Sequence, residues 1–153
     1  MSSSMTPGKE KLGAIGEKIA RNFFIRQGDT VIDSIDPYDR RKDFTRNDKL
    51  VEIKTLQPYV NKNCFGIGVS QIHKCYKVDE LYVVAVPPAI RPDYFAGGKM
   101  YFIDKTAHHF TYTTRFGEKM FGIPIKQEAV HLITDLDKEE IDQLRLYTES
   151  AYA

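Results

Sequence analysis

Along Lys49–Thr55, β-branched residues alternate with Leu50, Glu52 and Lys54, and this alternation is the clearest secondary-structure signal in the chain. A period of two residues is typical of a half-buried β-strand, and the residues on one face of this one are β-branched. Successive side chains of a strand point to opposite faces, so Glu52 and Lys54 share a face. The pattern therefore predicts a strand that presents a carboxylate and an ammonium group two residues apart.

The segment before this strand predicts its hairpin partner. Asp39–Thr45 can form the second strand, with Asn47-Asp48 as a two-residue turn. Across such a turn Asp43 pairs with Glu52, and their Cβ atoms lie about 5 Å apart. Two carboxylates in that position repel each other unless a divalent cation lies between them, and Lys54 is one step further along the same face. The hairpin therefore predicts a hard-metal site with a lysine beside it.

An amphipathic edge strand with a solvated charged face is the alternative explanation for the same residues. A Glu-x-Lys sequence in one strand is common on protein surfaces, so the hairpin alone does not decide between a metal site and an ordinary exposed face. The elements on either side of the hairpin, and their order along the chain, bear on the choice.

The hydrophobic pattern predicts a helix before the hairpin and further elements after it. Apolar residues at three- and four-residue spacing predict a helix over residues 9–27, ended by Gly28 in a left-handed conformation. Glu17 lies at the edge of the apolar face of this helix. We expect a short strand at 30–34, a loop at 56–64, a helix at 71–77 with Ser70 as its N-cap, and a buried strand at 81–86.

The last third of the chain has the pattern of further strands and a closing helix. Strands are predicted at 99–103, 109–114, 120–125 and 129–133, and Pro124 places the third of them at a sheet edge. Asp137–Glu140 has the form of a capping box and predicts a helix that continues to about residue 150. We therefore expect one domain over 1–153, with a core at about 9–87 and a C-terminal extension at about 88–153.

Composition narrows the class of protein without indicating an activity. The chain has 153 residues, of which 42% are apolar and 28% charged, as in one globular domain. No apolar run approaches the roughly 20 residues that cross a bilayer, so no membrane association is expected. Cys64 and Cys75 are too few for a disulfide scaffold, which predicts reduced thiols in a cytoplasmic protein. The formal net charge of +1 argues against electrostatic coating of nucleic acid but allows a local basic surface.

The first 90 residues follow the order helix, strand, strand, strand, helix, strand. With that order the chain resembles the PD-(D/E)XK, or restriction-endonuclease-like, nuclease superfamily, and within it the archaeal-type Holliday-junction resolvases. The residues that carry the resemblance are Gly16-Glu17, Lys42-Asp43-Phe44, Glu52-Ile53-Lys54 and Gln71. Lys42 stands where many members have proline, and nothing after Pro88 matches the family. The resemblance implies an α/β fold with an αβββαβ core and a mixed central sheet, followed by extra C-terminal strands and a closing helix.

The resemblance also implies a catalytic centre. Asp43 and Glu52 would hold Mg²⁺ or Mn²⁺ together with the Ile53 carbonyl and water molecules, and the metal would polarise the scissile phosphate. Lys54 would orient or deprotonate the attacking water and offset charge in the transition state.

Other residues have both a functional and a structural explanation. Glu17 would contact a metal-bound water or a second metal, or it is a boundary residue with a solvated carboxylate. Gln71 would support Lys54 or touch the phosphate, or it only supplies polarity at a helix start. Tyr59 is able to meet an unpaired base. Phosphate contacts without sequence specificity would come from the basic residues Arg41, Lys42, Arg46, Lys62 and Lys74.

The sequence therefore predicts a metal-dependent endonuclease that hydrolyses DNA phosphodiester bonds. Selectivity for junctions or branched DNA and a homodimeric state are compatible with this prediction. Two alternatives stay open: a catalytically silent nucleic-acid-binding or assembly protein with the same fold, and an RNA-directed nuclease. The intact set of Asp43, Glu52 and Lys54 argues against the silent protein, whereas the choice between DNA and RNA depends on contacts to the sugar.

Overall fold

The computed structural model describes residues 7–33 and 43–152 of the chain. Two of the predicted phosphate contacts, Arg41 and Lys42, lie outside these residues, as does the 39–42 part of the predicted hairpin strand. The described elements, in chain order, are α1 (Pro7–Arg26), β1 (Val31–Asp33), β2 (Phe44–Arg46), β3 (Lys49–Leu56), a 3-10 helix (Val60–Lys62), β4 (Cys64–Gly68), α2 (Val69–Lys77), β5 (Glu80–Ala85), β6 (Lys99–Ile103), β7 (Phe110–Thr113), β8 (Lys119–Pro124), β9 (Val130–Asp135) and α3 (Lys138–Tyr152).

Helix α1 ends where its sequence predicts. Gly28 has a φ of +89°, which a glycine adopts without steric cost. The Asp29 N–H donates to the Phe24 carbonyl and the Gly28 N–H to the Ile25 carbonyl, each at 3.0 Å. These two bonds form a Schellman motif and satisfy carbonyls that the last turn of a helix otherwise leaves unpaired.

Six strands form a mixed sheet in the order β1-β2-β3-β5-β6-β9. β3 and β5 are parallel, and the other neighbours are antiparallel. The parallel pair is connected through β4 and α2, since parallel strands need a long crossover. The prediction of an α/β fold with a mixed central sheet is confirmed.

The central hairpin has the register that its turn predicts. Phe44 pairs with Val51 and Arg46 with Lys49. Asn47 and Asp48 have φ values of 48° and 68°, as a type I′ turn requires. The ladder ends at Phe44. The Asp43 N–H donates to the Val51 carbonyl at 2.7 Å, so Asp43 is not the regular strand partner of Glu52 that the turn alone predicts.

The second sheet departs from the sequence prediction in two ways. Its order is β4-β8-β7, so Cys64 begins a strand instead of ending a loop. β8 is the central strand and not an edge strand. Pro124 is tolerated there because it is the last residue of β8, paired with Cys64 at the end of the ladder. The N-cap of α2 is Gly68 and not Ser70, since β4 runs directly into the helix.

Each face of the six-stranded sheet covers its own hydrophobic core. α1 and α3 pack on one face, where Phe24, Phe44 and Leu144 are buried. α2 and the small sheet cover the other face, around Phe65 and Ile123. Residues after Pro88 contribute to both cores. No helix of the described residues combines the length and the apolar character that a membrane crossing needs.

Candidate functional site

Glu52 is a buried carboxylate, and one of its oxygens accepts no hydrogen bond. It lies in the middle of β3 with 1% of its surface exposed. Its Oε2 is 3.2 Å from the Lys54 Nζ. Its Oε1 is 3.4 Å from the Lys74 Nζ yet accepts no hydrogen bond. Because an unsatisfied buried oxygen is costly and uncommon, this atom marks a place where a cation would be stabilising.

Asp43 lies just before β2 begins, and its carboxylate binds the edge of β3. Its Oδ2 accepts the Ile53 N–H at 2.6 Å. The carbonyls of Leu50 and Leu56 accept N–H groups of the β5 side, from Asp79 at 2.9 Å and Val86 at 2.8 Å.

Backbone groups of a strand alternate in direction, so the carbonyl of Ile53 points to the same edge as its N–H. Three oxygen groups therefore lie close together beside the first residue of β2. They are the carboxylates of Asp43 and Glu52 and the backbone carbonyl of Ile53.

Burial and mutual repulsion make these carboxyl groups hard to ionise. Burial raises the pKa of Glu52, and the negative charge of Asp43 raises it further, against Lys54 and Lys74. Burial likewise raises the pKa of Asp43, although the Ile53 N–H bond opposes the change. Burial, followed by the charge of Asp43, raises the pKa of Glu17 from 4.5 to about 7. Such a cluster gains from a bound cation, which favours the charged forms.

Lys54 and Gln71 are in direct contact, as the sequence interpretation expects. The Lys54 Nζ donates to the Gln71 Oε1 at 3.1 Å. Gln71 lies in the first turn of α2, which faces the side-chain row of Glu52 and Lys54 on β3. The Lys54 ammonium group is thus held between the carboxylate of Glu52 and the amide of Gln71.

Helix α1 comes unusually close to β3 at Gly16. A Cβ atom at this position would lie 2.7 Å from the Thr55 Cβ and still closer to its Oγ1. The absence of a side chain lets the helix pack directly on the strand. Glu17, the next residue, is half-buried and lines the cleft together with Asp43 and Glu52.

The site lies in a cleft of about 640 Å³. One wall carries the predicted residues, and the other wall is formed by the small sheet. The first wall includes Glu17, Asp43, Glu52, Lys54, Gln71 and Lys74, and the second includes Gly66, Gly68, Tyr112 and Met120 of the small sheet, with Tyr59 beside β4.

The structure separates the basic residues that the sequence grouped together. Arg46 is a structural residue: its guanidinium bonds Asp29 and Glu80 at 2.9 Å each and lies over the Phe24 ring, so it is not available for phosphate. Lys62 lies outside the cleft lining, over the ring of Phe110. Lys74 lies inside the cleft, beside Glu52.

Tyr112 is a cleft residue that sequence reasoning missed. The alternation of β7 predicts which side chains share a face with Tyr112, but nothing in the sequence pairs that strand with the region of the hairpin. The contact arises because β7 and β4 both pair with β8. This pairing is non-local, and no local pattern reports it.

Among the described residues, no three His, Cys, Asp or Glu side chains converge as a metal-binding group. The candidate set is instead two carboxylates and a backbone carbonyl. Comparison of the chain with protein-family models, curated proteins and solved structures gives no significant match.

Proposed function

We propose that this protein is a metal-dependent endonuclease that hydrolyses DNA phosphodiester bonds, with the fold of the PD-(D/E)XK superfamily. The order of α1, β1, β2, β3, α2 and β5 supports this assignment, with β3 and β5 parallel and neighbouring. In this proposal β4 is an insertion between β3 and α2. Further support for the proposal is that Glu17 lies on α1, Glu52 and Lys54 on β3, and Gln71 on α2.

The observation that carries the proposal is the environment of Glu52. Glu52 is buried beside a second carboxylate, and one of its oxygens accepts no hydrogen bond. A solvated strand face explains these properties poorly. The donors available are all oxygens, which suits Mg²⁺ or Mn²⁺. Mg²⁺ keeps several waters and needs few protein ligands, so a set of Asp43, Glu52 and the Ile53 carbonyl is sufficient.

The chain's own residues supply positioning and charge. Lys54 would orient the attacking water and offset negative charge that develops on the phosphate, and Gln71 holds its ammonium group in place. Lys74 would contact a non-bridging phosphate oxygen. Glu17 would hold a solvent molecule at the cleft. When bound, the cation polarises the phosphate and makes water more acidic.

A cleavage assay tests the proposal. Duplex, single-stranded, flap and four-way-junction DNA and RNA would be incubated with Mg²⁺, Mn²⁺ or EDTA. We expect metal-dependent cutting of DNA that Glu52→Gln and Lys54→Met each reduce at least a hundredfold, because each removes a group that acts on the transition state. Lys99→Met is the matched control, since Lys99 also pairs with a strand carboxylate, Asp135, and neither residue lines the cleft.

Metal binding gives an independent readout. Mg²⁺ should raise the melting temperature of the wild type but not that of Glu52→Gln. Cutting of RNA alone would replace DNA with RNA as the substrate. Binding of DNA without cutting in any metal would favour the catalytically silent protein instead.

A further inference from the structure

The small sheet turns a glycine-rich face toward the cleft. Side chains alternate across a strand, and the core-facing side carries Phe65 and Ile123. The opposite side carries Gly66, Gly68 and Gly122, with Gly66 paired to Gly122. Glycines inside strands weaken a sheet unless a group must approach the backbone closely. This face is therefore built for close approach.

Two aromatic side chains reach over these glycines. A Cβ at Gly122 would lie 2.6 Å from the Phe110 ring, and a Cβ at Gly66 would collide with the Tyr112 hydroxyl. Phe110 and Tyr112 are two residues apart on β7, so they share this face. Both side chains thus occupy the space that a side chain at Gly66 or Gly122 would fill, and Tyr112 also lines the cleft.

Tyr59 extends the pair into a row. Its ring centroid is 5.3 Å from that of Tyr112, which is 5.8 Å from that of Phe110. Tyr59 is 36% exposed and lines the same cleft as Glu52 and Lys54. We call Tyr59, Phe110 and Tyr112 the aromatic shelf. The Lys62 ammonium group lies 5.9 Å from the Phe110 centroid, at the outer end of the shelf.

A row of rings beside a phosphate-processing site recognises a nucleobase face. Every base has a π-face, and aromatic side chains bind it without sequence preference. In a duplex these faces are covered by neighbouring base pairs, so only an unpaired base can use the shelf. The cleft volume of about 640 Å³ falls in the range of pockets for small ligands, which admits a few nucleotides of one strand but not a duplex.

We infer that the aromatic shelf stacks an unpaired base next to the scissile phosphate, and that the substrate is a DNA strand with unpaired nucleotides at the cut site. This inference rests on the proposed function and deepens it. The glycines leave room for the aromatic side chains, and the same cleft is lined by Tyr59 and Tyr112 and by the two lysines proposed to contact the phosphate, Lys54 and Lys74.

Affinity measurements in the cleavage-deficient Glu52→Gln background test the inference with fluorescently labelled oligonucleotides. Tyr59→Leu should weaken binding of single-stranded DNA about tenfold and leave duplex binding unchanged, whereas Tyr59→Phe should restore the affinity. Phe95→Leu is the matched control, because Phe95 is also an exposed ring but is not among the residues that line the cleft.

Abasic substitutions locate the contact. Replacing one base of the strand by an abasic site should weaken binding to the Glu52→Gln protein, and the same replacement should have little effect once Tyr59 is leucine. The inference would be overturned if the abasic site weakened binding equally with tyrosine and with leucine at position 59. It would also be overturned if Tyr59→Leu weakened binding of duplex and single-stranded DNA equally. Efficient cutting of uninterrupted duplex would agree with the proposed nuclease activity but would overturn the inference that the aromatic shelf stacks an unpaired base. Failure to bind any nucleic acid would overturn both.

Discussion

Glu52 combines three properties that are costly together. It is buried, it lies beside a second carboxylate, and one of its oxygens accepts no hydrogen bond. Two ammonium groups, from Lys54 and Lys74, compensate only part of this cost. A sheet selected for stability alone has no reason to retain such a residue. The arrangement is understandable if the site pays this cost in order to hold a cation and a phosphate.

The raised pKa values predict how metal-free protein responds to pH. The pKa of Glu17 is about 7 in the folded protein, whereas an unperturbed glutamate has a pKa of 4.5. As pH rises, the unfolded chain therefore loses this proton before the folded protein does. The raised pKa therefore leaves the unfolding free energy unchanged below pH 4.5 and lowers it progressively as the pH rises to 7. In EDTA we expect the unfolding free energy to be lower at pH 8 than at pH 5.

Urea denaturation at several pH values measures this effect. Glu17→Gln should be more stable than the wild type at pH 8 by about 2 kcal/mol, after allowance for partial exposure, and equal to it near pH 4. Added Mg²⁺ should remove much of the wild-type penalty. A wild-type protein whose stability rises between pH 5 and pH 8 in EDTA would contradict the burial assigned to these carboxylates.

Gln71 predicts a positional effect on Lys54. Gln71→Leu removes the acceptor 3.1 Å from the lysine, and we expect kcat to fall about tenfold while DNA affinity and melting temperature stay unchanged. Gln71→Glu retains an acceptor and should keep most of the activity. If both variants cut as fast as the wild type, Gln71 serves only the start of the helix.

At the scale of elements, α1 and β3 position the site through one close contact. Gly16 packs against Thr55, on the face of β3 opposite to Glu52 and Lys54. The same approach carries Glu17 to the edge where Asp43 lies. The two residues of the Gly16-Glu17 pair thus have different physical roles. Gly16 allows the short distance between α1 and β3, and this short distance brings the Glu17 carboxylate near Asp43.

Replacing this glycine should separate the two elements. Gly16→Ala forces α1 away from Thr55, and we expect the unfolding free energy to fall by about 2 kcal/mol, with loss of cleavage because Glu17 moves. Gly13→Ala is the control, since a Cβ there meets nothing within 4 Å. It should stabilise the helix by up to about 1 kcal/mol. Thermal denaturation distinguishes the two, and equal effects would contradict the packing.

Elements set by local signals were predictable from the sequence, and those set by distant pairing were not. The turn at Asn47-Asp48 fixes the hairpin register, and Asp137 and Glu140 form the predicted capping box with reciprocal bonds of 2.9 and 2.8 Å. β4 has two glycines among its five residues and forms a strand only because β8 pairs with it. For the same reason the hairpin sequence predicts that Asp43, Glu52 and Lys54 share one site, whereas no local pattern predicts that Tyr112 lines the same cleft.

At the scale of the whole molecule, the C-terminal extension is part of both cores. β6 pairs with β5, β8 pairs with β4, and α3 packs against α1. Buried residues from this region include Met100 and Leu144 in one core and Ile123 in the other. The extension also supplies Tyr112 to the cleft. The predicted core at about 9–87 is therefore incomplete both in its packing and in the second wall of the cleft.

This dependence predicts the behaviour of a truncated chain. A fragment of residues 1–87 leaves β5 as an unpaired apolar edge, removes the only sheet partner that the structure describes for β4, and exposes the α1 face that α3 covers. We expect it to lack a cooperative thermal transition and dispersed amide resonances, because the remaining apolar burial cannot offset the conformational entropy. Mixing it with a fragment of residues 88–153 should restore both signals. If the short fragment alone unfolds cooperatively and gains stability from Mg²⁺, the first 87 residues form an independent core, and the second wall of the cleft is an addition to a complete metal site.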